Sequence, residues 1–349
     1  MARDTAAPPS AATAGADPGA GSRGALGGWD AAVLAGLAVA ALLASLSVPN
    51  FATGRNVQFL LLDLVPLALL ALPMTLIVIT GEIDLSVASM VGLGSTLMGQ
   101  LWLSSGLSLE LICVLVVLLG AGLGAVNGLF VTGFGLPSLA VTIGTLALYR
   151  GLSFVVLGDR AVADFPAGWT AAVVRTLPGT PIPVAAVPVL ALALVFGVVL
   201  HATPVGRALY AIGNNAEAAG FAGVPVARTR FWLFVASGAV CGLAGVFWTL
   251  RYASARGDNA TGLELTVVTA VLLGGVSIFG GRGGLLGVVA GVLLLGVLRN
   301  ALQLADVDAN ASTIVTGTLL VASVVLPNAV TEVRARLRRR RRHAGLTDG

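Results

Sequence analysis

The chain has 349 residues, 57% hydrophobic and only 10% charged, against about 25% charged in an average soluble domain. Its formal charge of +4 is no sign of nucleic-acid binding, because seven arginines crowd into the tail Arg334–Arg342. A soluble globular class is excluded, and so is a membrane barrel, whose strands of about ten residues would alternate with period two.

Residues 1–29 are rich in Ala, Gly, Pro and Ser, which predicts a disordered cytoplasmic tail. Ten apolar runs follow, each near the length that crosses a bilayer as a helix: 30–49, 59–80, 85–103, 109–131, 138–157, 184–201, 231–250, 265–280, 285–304 and 312–327. Gly, Ser and Thr dilute the third and eighth. The first run is too long and too far from the start for a cleaved secretory signal, so it reads as an uncleaved anchor.

Between the sixth and seventh runs, residues 202–230 carry Arg207, Arg228, Arg230, Glu217 and the pair Asn214-Asn215. Pro204 and Pro225 lie near the ends, with a helix-compatible core at Glu217-Ala218-Ala219. A polar, ordered segment outside the bilayer suggests contact with a partner. The basic tail 331–349 marks the cytoplasmic side and could touch anionic headgroups. Counting back from it puts the N-terminus and 202–230 inside, and 158–183 and 251–264 outside. The expected fold is an all-α polytopic membrane protein: ten transmembrane helices over 30–330, both termini cytoplasmic.

A shift of 173 residues aligns Asn127 with Asn300, Leu129 with Leu302, and Gly144-Thr145-Leu146 with Gly317-Thr318-Leu319. It pairs span 4 with span 9 and span 5 with span 10. An offset of five spans is odd, so the two halves would cross the membrane in opposite senses, an arrangement many transporters use for alternating access.

The sharpest local sequence is Thr80-Gly81-Glu82-Ile83-Asp84-Leu85-Ser86. Carboxylates beside hydrocarbon are costly unless paired or hydrated, so they point to function by default. A broken helix would suit them, with free backbone groups lining a polar path. Asp84 reads as a cap for span 3, and Glu82 divides between an ion pair and a path-lining role. Asp63, Gln100, Asn127, Thr142, Thr145, Thr249, Asn300 and Gln303 also lie within spans, where such groups commonly join helices. The repeat raises Asn127 and Asn300 above the rest.

Gly274-Gly275 and Gly280-Gly281-Arg282-Gly283-Gly284 lack the Gly-Lys-Ser/Thr ending of a phosphate-binding loop, and the chain has no lysine. They suit close packing and a tight turn between spans 8 and 9. Cys113 and Cys241 read as small core residues, His201 and His343 are isolated, and no metal-ligand spacing occurs. No nucleophile–base–acid set is present, so the chain is expected to have no catalytic site.

Gly81-Glu82-Ile83-Asp84-Leu85-Ser86 resembles the Gly-x-Ile-Asp-Leu-Ser motif of ribose/rhamnose/xylose-type permeases of ATP-binding cassette importers. Further blocks resemble that family in order: Asn127-Gly128 to Pro137, Val141 to Thr145, Tyr149-Arg150-Gly151, then Gly206-Arg207 through Ala219 and Gly223, then Gly274-Gly275 through Gly283. The likeness covers residues 59–327. Glu82 stands where a second Gly is usual, a variant similar to the rhamnose and autoinducer-2 branches.

The resemblance implies a permease in a bacterial cytoplasmic membrane that passes a monosaccharide delivered by an external sugar-binding protein. It implies a second permease chain, identical or not, and a cytoplasmic ATP-binding cassette ATPase. ATP and Mg would bind that ATPase, with no cofactor on this chain. Arg207, Asn214, Asn215, Glu217, Ala218, Ala219 and Gly223 would form the ATPase-coupling face. Glu82, Asp84, Ser86, Asn127, Thr142, Thr145 and Asn300 are the candidates for the substrate path. The rival expectation is a proton- or sodium-coupled secondary transporter, for which Asp63 is the one carboxylate beyond the first turn of a predicted span.

Overall fold

The computed structural model describes residues 28–308, 310–323 and 325. The expected tails lie outside these, apart from residues 28 and 29, which begin the first helix. The described residues form twelve named helices. The first five are α1 (Gly28–Ser47), α2 (Gly54–Ile79), α3 (Val87–Ser104), α4 (Leu109–Gly133) and α5 (Ser138–Leu157). The next four are α6 (Ala167–Val174), α7 (Ala186–Ala202), α8 (Pro204–Asn214) and α9 (Ala216–Phe221). The last three are α10 (Val226–Tyr252), α11 (Leu263–Leu273) and α12 (Leu285–Leu304), and helical backbone recurs over 310–323.

Every apolar run therefore contains a helix, but they are not equal. Six helices (α1, α2, α4, α5, α10 and α12) are long and apolar enough to cross a membrane, and the α7–α8 pair, bent by 70°, makes a seventh at most. The eighth run, expected over 265–280, is helical only to Leu273, because Gly274 and the positive-φ Gly275 (φ 88°) end it. Eleven residues fall short of the ~20 that span hydrocarbon. The loop 158–183 holds a short helix, α6, that its mixed composition did not announce.

The core is built around α2. Thr53 caps its start by accepting from the Asn56 amide at 3.3 Å, and nearly every side chain beyond Leu60 is buried. Pro66 and Pro73 lie inside it, where each removes one backbone donor from the helix ladder. α2 packs against α7, α10, α11 and α12, while α10 packs against α2, α3 and α4. The α4–α10 contact runs along Gly120, Gly124, Gly238 and Gly242, where backbones approach so closely that a methyl at Gly120 would overlap the Gly238 carbonyl. Without a hydrophobic force between helices in lipid, such small-residue seams and dispersion contacts hold the bundle.

Large apolar side chains cover the outward faces of α1, α4, α5 and α7, among them Leu42, Leu118, Val155 and Leu194. In water that surface would aggregate; against lipid tails it is the expected exterior.

Candidate functional site

Leaving α2, the chain turns at Thr80–Gly81, and Gly81 supplies φ 81°. Residues 82–86 are non-helical until α3 begins, so their backbone groups need partners inside the bundle. α5 supplies them: Ser138 Oγ accepts from the Ile83 amide at 3.1 Å, and Thr142 Oγ1 donates to the Ile83 carbonyl at 3.2 Å. Sequence reasoning had singled out Thr142 but missed Ser138, whose place at the start of span 5 carries no signal of its own.

Asp84 is fully buried. Its Oδ1 accepts from the Ser86 amide at 3.0 Å and from the Ser86 hydroxyl at 2.6 Å, so the carboxyl closes the turn ahead of α3 and does not reach the amides within that helix. The Ser86 hydroxyl in turn accepts from Asn127 Nδ2 at 2.8 Å, and Asn127 Oδ1 accepts from the Tyr149 hydroxyl at 3.4 Å. Asp84, Ser86 and Asn127 have no exposed surface. They form a sealed polar knot between α3, α4 and α5. Two of its neighbouring atoms, Asp84 Oδ2 and Ser237 Oγ, have no hydrogen-bond partner among the described residues. Thr145 lies one turn further along α5 and donates to the Thr142 carbonyl at 3.4 Å.

Glu82 points out of the knot. Its carboxylate pairs with Arg230 at 2.9 Å, and the same guanidinium donates to the Thr80 carbonyl at 3.0 Å. Arg230 stands in the first turns of α10, directly after the polar 202–230 segment. That segment folds as two helices. α8 carries Arg207 and Asn214; Asn215 caps α9 by accepting from the Ala218 amide at 2.9 Å. Glu217 and Ala218 are exposed, Ala219 is buried, and Gly223 (φ 84°) turns the chain toward α10.

α8 touches the α2 break from a second direction. The Gly281 amide donates to the Ile79 carbonyl at 2.9 Å, and Gly213 lies over that bond, where any Cβ would overlap both Ile79 O and Gly281 N. Gly280 and Gly281 adopt φ 82° and 72°, so the glycine turn before α12 fits against both chains. Tyr210, on α8, donates its hydroxyl to the Gly283 carbonyl at 2.7 Å. The coupling candidates, the Glu82–Ser86 break and the 280–283 turn thus meet at one end of the bundle.

Asn300 is elsewhere. It exchanges hydrogen bonds with Asn56 in the first turn of α2, at 2.8 and 3.0 Å, whereas the knot sits at the far end of that helix. A second break, 253–262, precedes α11 at this opposite end. Arg150 clamps it with bonds to the Gly257 and Asn259 carbonyls at 2.7 and 2.8 Å, and Val162 pairs with Ala255 across to the 158–183 loop. Nearby, the Arg256 guanidinium bonded to Asp258 holds that carboxyl below the usual carboxylate range. No group of three or more His, Cys, Asp or Glu that could hold a metal occurs among the described residues.

The family described as branched-chain amino acid transport system / permease component matches residues 56–324, most of the chain and all of both breaks. The chain belongs to that permease family. Among similar proteins, the permease is 31% identical over 304 residues to the autoinducer 2 import system permease protein LsrD of Yersinia pseudotuberculosis serotype O:1b (strain IP 31758), covering 85% of this chain and 90% of that protein. The LsrD proteins of Yersinia enterocolitica serotype O:8 and of Yersinia pestis (strain Pestoides F) are equally similar, at 31% identity over 304 residues and 85% of this chain, covering 91% and 90% of their own lengths. No solved structure matches it. The permease is a multi-pass membrane protein of an import system, and transport, not catalysis, is its work.

Proposed function

We propose that the permease forms the membrane path of an ATP-driven importer for a small sugar-like solute, and that α8–α9 receives the motion of a cytoplasmic ATPase. The observation that carries this reading is the junction of Gly213, Ile79, Gly281, Arg230 and Glu82. It joins the α8–α9 pair to the break ahead of α3 through a close backbone approach at Gly213 and the Arg230–Glu82 ion pair. A push on α8–α9 therefore moves the end of α2, the start of α10 and the 280–283 turn together.

In this reading ten apolar segments, six or seven of them full spans and others such as α11 partial, lie in the bilayer in two inverted halves, with both termini cytoplasmic. Three features support the inversion. Asn127 and Asn300, equivalent under the 173-residue shift, lie at opposite ends of α2. The pairing of α10 with α3 and α4 is mirrored by that of α2 with α11 and α12. The two breaks precede α3 and α11, the equivalent helices, at opposite faces, and short interrupted helices in matching places of two halves mark transporter sites. An external binding protein would dock where 158–183 meets 253–262, and a second permease chain would complete the path. The names of the autoinducer-2 relatives and the Glu82 variant favour a monosaccharide or a similar polyol as cargo.

Asp63, inside α2 and 3.4 Å from Arg251, keeps one rival in view: a transporter driven by protons or sodium. Vesicles holding the permease, its ATPase and its binding protein decide between them. Uptake is expected to require internal ATP and to survive collapse of proton and sodium gradients; uptake that follows the gradients and ignores ATP would reverse the reading.

A further inference from the structure

At the end of the bundle opposite the α8–α9 junction, α2, α10, α11, α12 and the 310–323 helix line an open cavity of about 490 Å³. From Arg230 at the junction to Trp248 at the cavity, α10 advances about 27 Å at 1.5 Å per residue, close to the thickness of a hydrocarbon core. Its lining includes Asp63, Trp248, Tyr252, Arg299, Asn300 and Gln303, beside the hydroxyls of the 310–323 helix.

Both signs of charge are present. Asp63, half exposed, is approached by Arg251 and the Tyr252 hydroxyl at 3.4 and 3.5 Å, contacts long enough to leave the carboxylate free to accept from another group. The one side-chain hydrogen bond of Arg299 among the described residues is to Thr266 Oγ1 at 3.5 Å, and the Gln303 side chain makes none there, its carbonyl alone accepting from the Asp306 amide at 3.2 Å. The space offers a carboxylate acceptor and a guanidinium donor side by side, with Arg251, outside the lining, held against Asp63. This acceptor and donor suit a ligand whose hydroxyls both donate and accept. Trp248 and Tyr252, with ring centroids 5.1 Å apart, supply flat apolar faces for the C–H side of a ring.

The cavity is also one-sided. Asn127, the counterpart of Asn300, is sealed among Ser86, Asp84 and Tyr149, whereas Asn300 borders open space. One half of the bundle is filled where the other is hollow.

We propose that this cavity is a binding site for a neutral, ring-shaped polyol on its way through the permease, an inference that rests on the importer reading. Asp63 accepts from ligand hydroxyls, Arg299 and Gln303 donate to them, and Trp248 with Tyr252 packs against the ring face. Passage favours weak binding, so a dissociation constant on the order of 1 mM is expected.

The test uses the purified full-length chain in detergent, titrated by tryptophan fluorescence with D-ribose, L-rhamnose, D-xylose and myo-inositol. Gluconate and glucosamine serve as anionic and cationic counterparts. At least one neutral compound is expected to give a saturable change, with the charged compounds bound about tenfold more weakly. Gln303→Leu and Arg299→Gln, which keep the elution profile of the parent chain, should each weaken that binding about tenfold. No saturable change with any neutral compound, equal binding of gluconate, or variants within twofold of the parent would overturn the proposal. A parallel uptake assay separates it from the importer reading. ATP-driven uptake with an unchanged KM in both variants sinks the cavity alone. Saturable binding in a chain whose transport ignores ATP sinks the importer alone.

Discussion

Replacing Gly213 with valine is expected to abolish ATP-driven uptake and to lower the thermal stability of the purified permease. The bond from the Gly281 amide to the Ile79 carbonyl runs directly beneath Gly213, and a side chain there meets backbone on both sides. Backbone cannot rotate away as a flexible side chain can, so α8 must lift off or the 280–283 turn must open. Gly213→Ala is expected to cost about 1–3 kcal/mol, the usual range for overpacking, and Gly213→Val more. Thermal unfolding in detergent measures this, with Gly220→Ala as the control in the same segment: a Cβ there meets nothing within 4 Å, and its stability should match the parent. Parent-like stability and uptake in Gly213→Val would mean that α8 does not bear on the α2 break.

The second large effect is expected at Arg230. Its guanidinium holds Glu82 and the Thr80 carbonyl together, and the two side chains are only 22% and 13% exposed. Removing one partner of a fully buried pair costs about 3–5 kcal/mol, because the stranded charge stays desolvated. The partial exposure here places Arg230→Met nearer about 2–3 kcal/mol. Adding Glu82→Gln should recover most of that stability by removing the stranded carboxylate, while uptake stays low because the tie between α10 and the break is still missing. Arg230→Lys should keep the charge pair but lose the forked contact to Thr80, and fall between parent and Arg230→Met. A double-mutant cycle on melting gives the coupling energy; a value near zero would make the pair incidental.

Hydropathy made the spans legible, since a run of about twenty apolar residues has few other uses. It failed where composition and geometry part company. The eighth run kept its apolar character past Leu273, but φ 88° at Gly275 needs only a missing Cβ, which no hydropathy average registers. The polar character of 202–230 was plain, yet its division into α8 and α9, and the fit of Gly213 under Gly281, depend on chains that are distant in sequence. Thr80–Ser86 announced itself through two carboxylates beside hydrocarbon. What could not be read there was their separation: Asp84 turns inward to Ser86 and Asn127, while Glu82 turns to an arginine about 150 residues later. Arg150 showed itself as part of the Tyr149-Arg150-Gly151 block, but its clamp could not be read because its carbonyl partners lie in another loop.

The central claim is that exposed α9 transmits ATPase motion to the break ahead of α3. The most direct measurement is ATP turnover and solute uptake by the cognate ATPase reconstituted with permease carrying Glu217→Arg. Glu217 is exposed in the first turn of α9, so the chain itself should melt as the parent does. Loss of permease-stimulated turnover and of uptake by at least about tenfold, equivalent to about 1.4 kcal/mol of lost coupling, is the predicted result. Turnover and uptake at parent levels with the reversed charge in place would contradict the account.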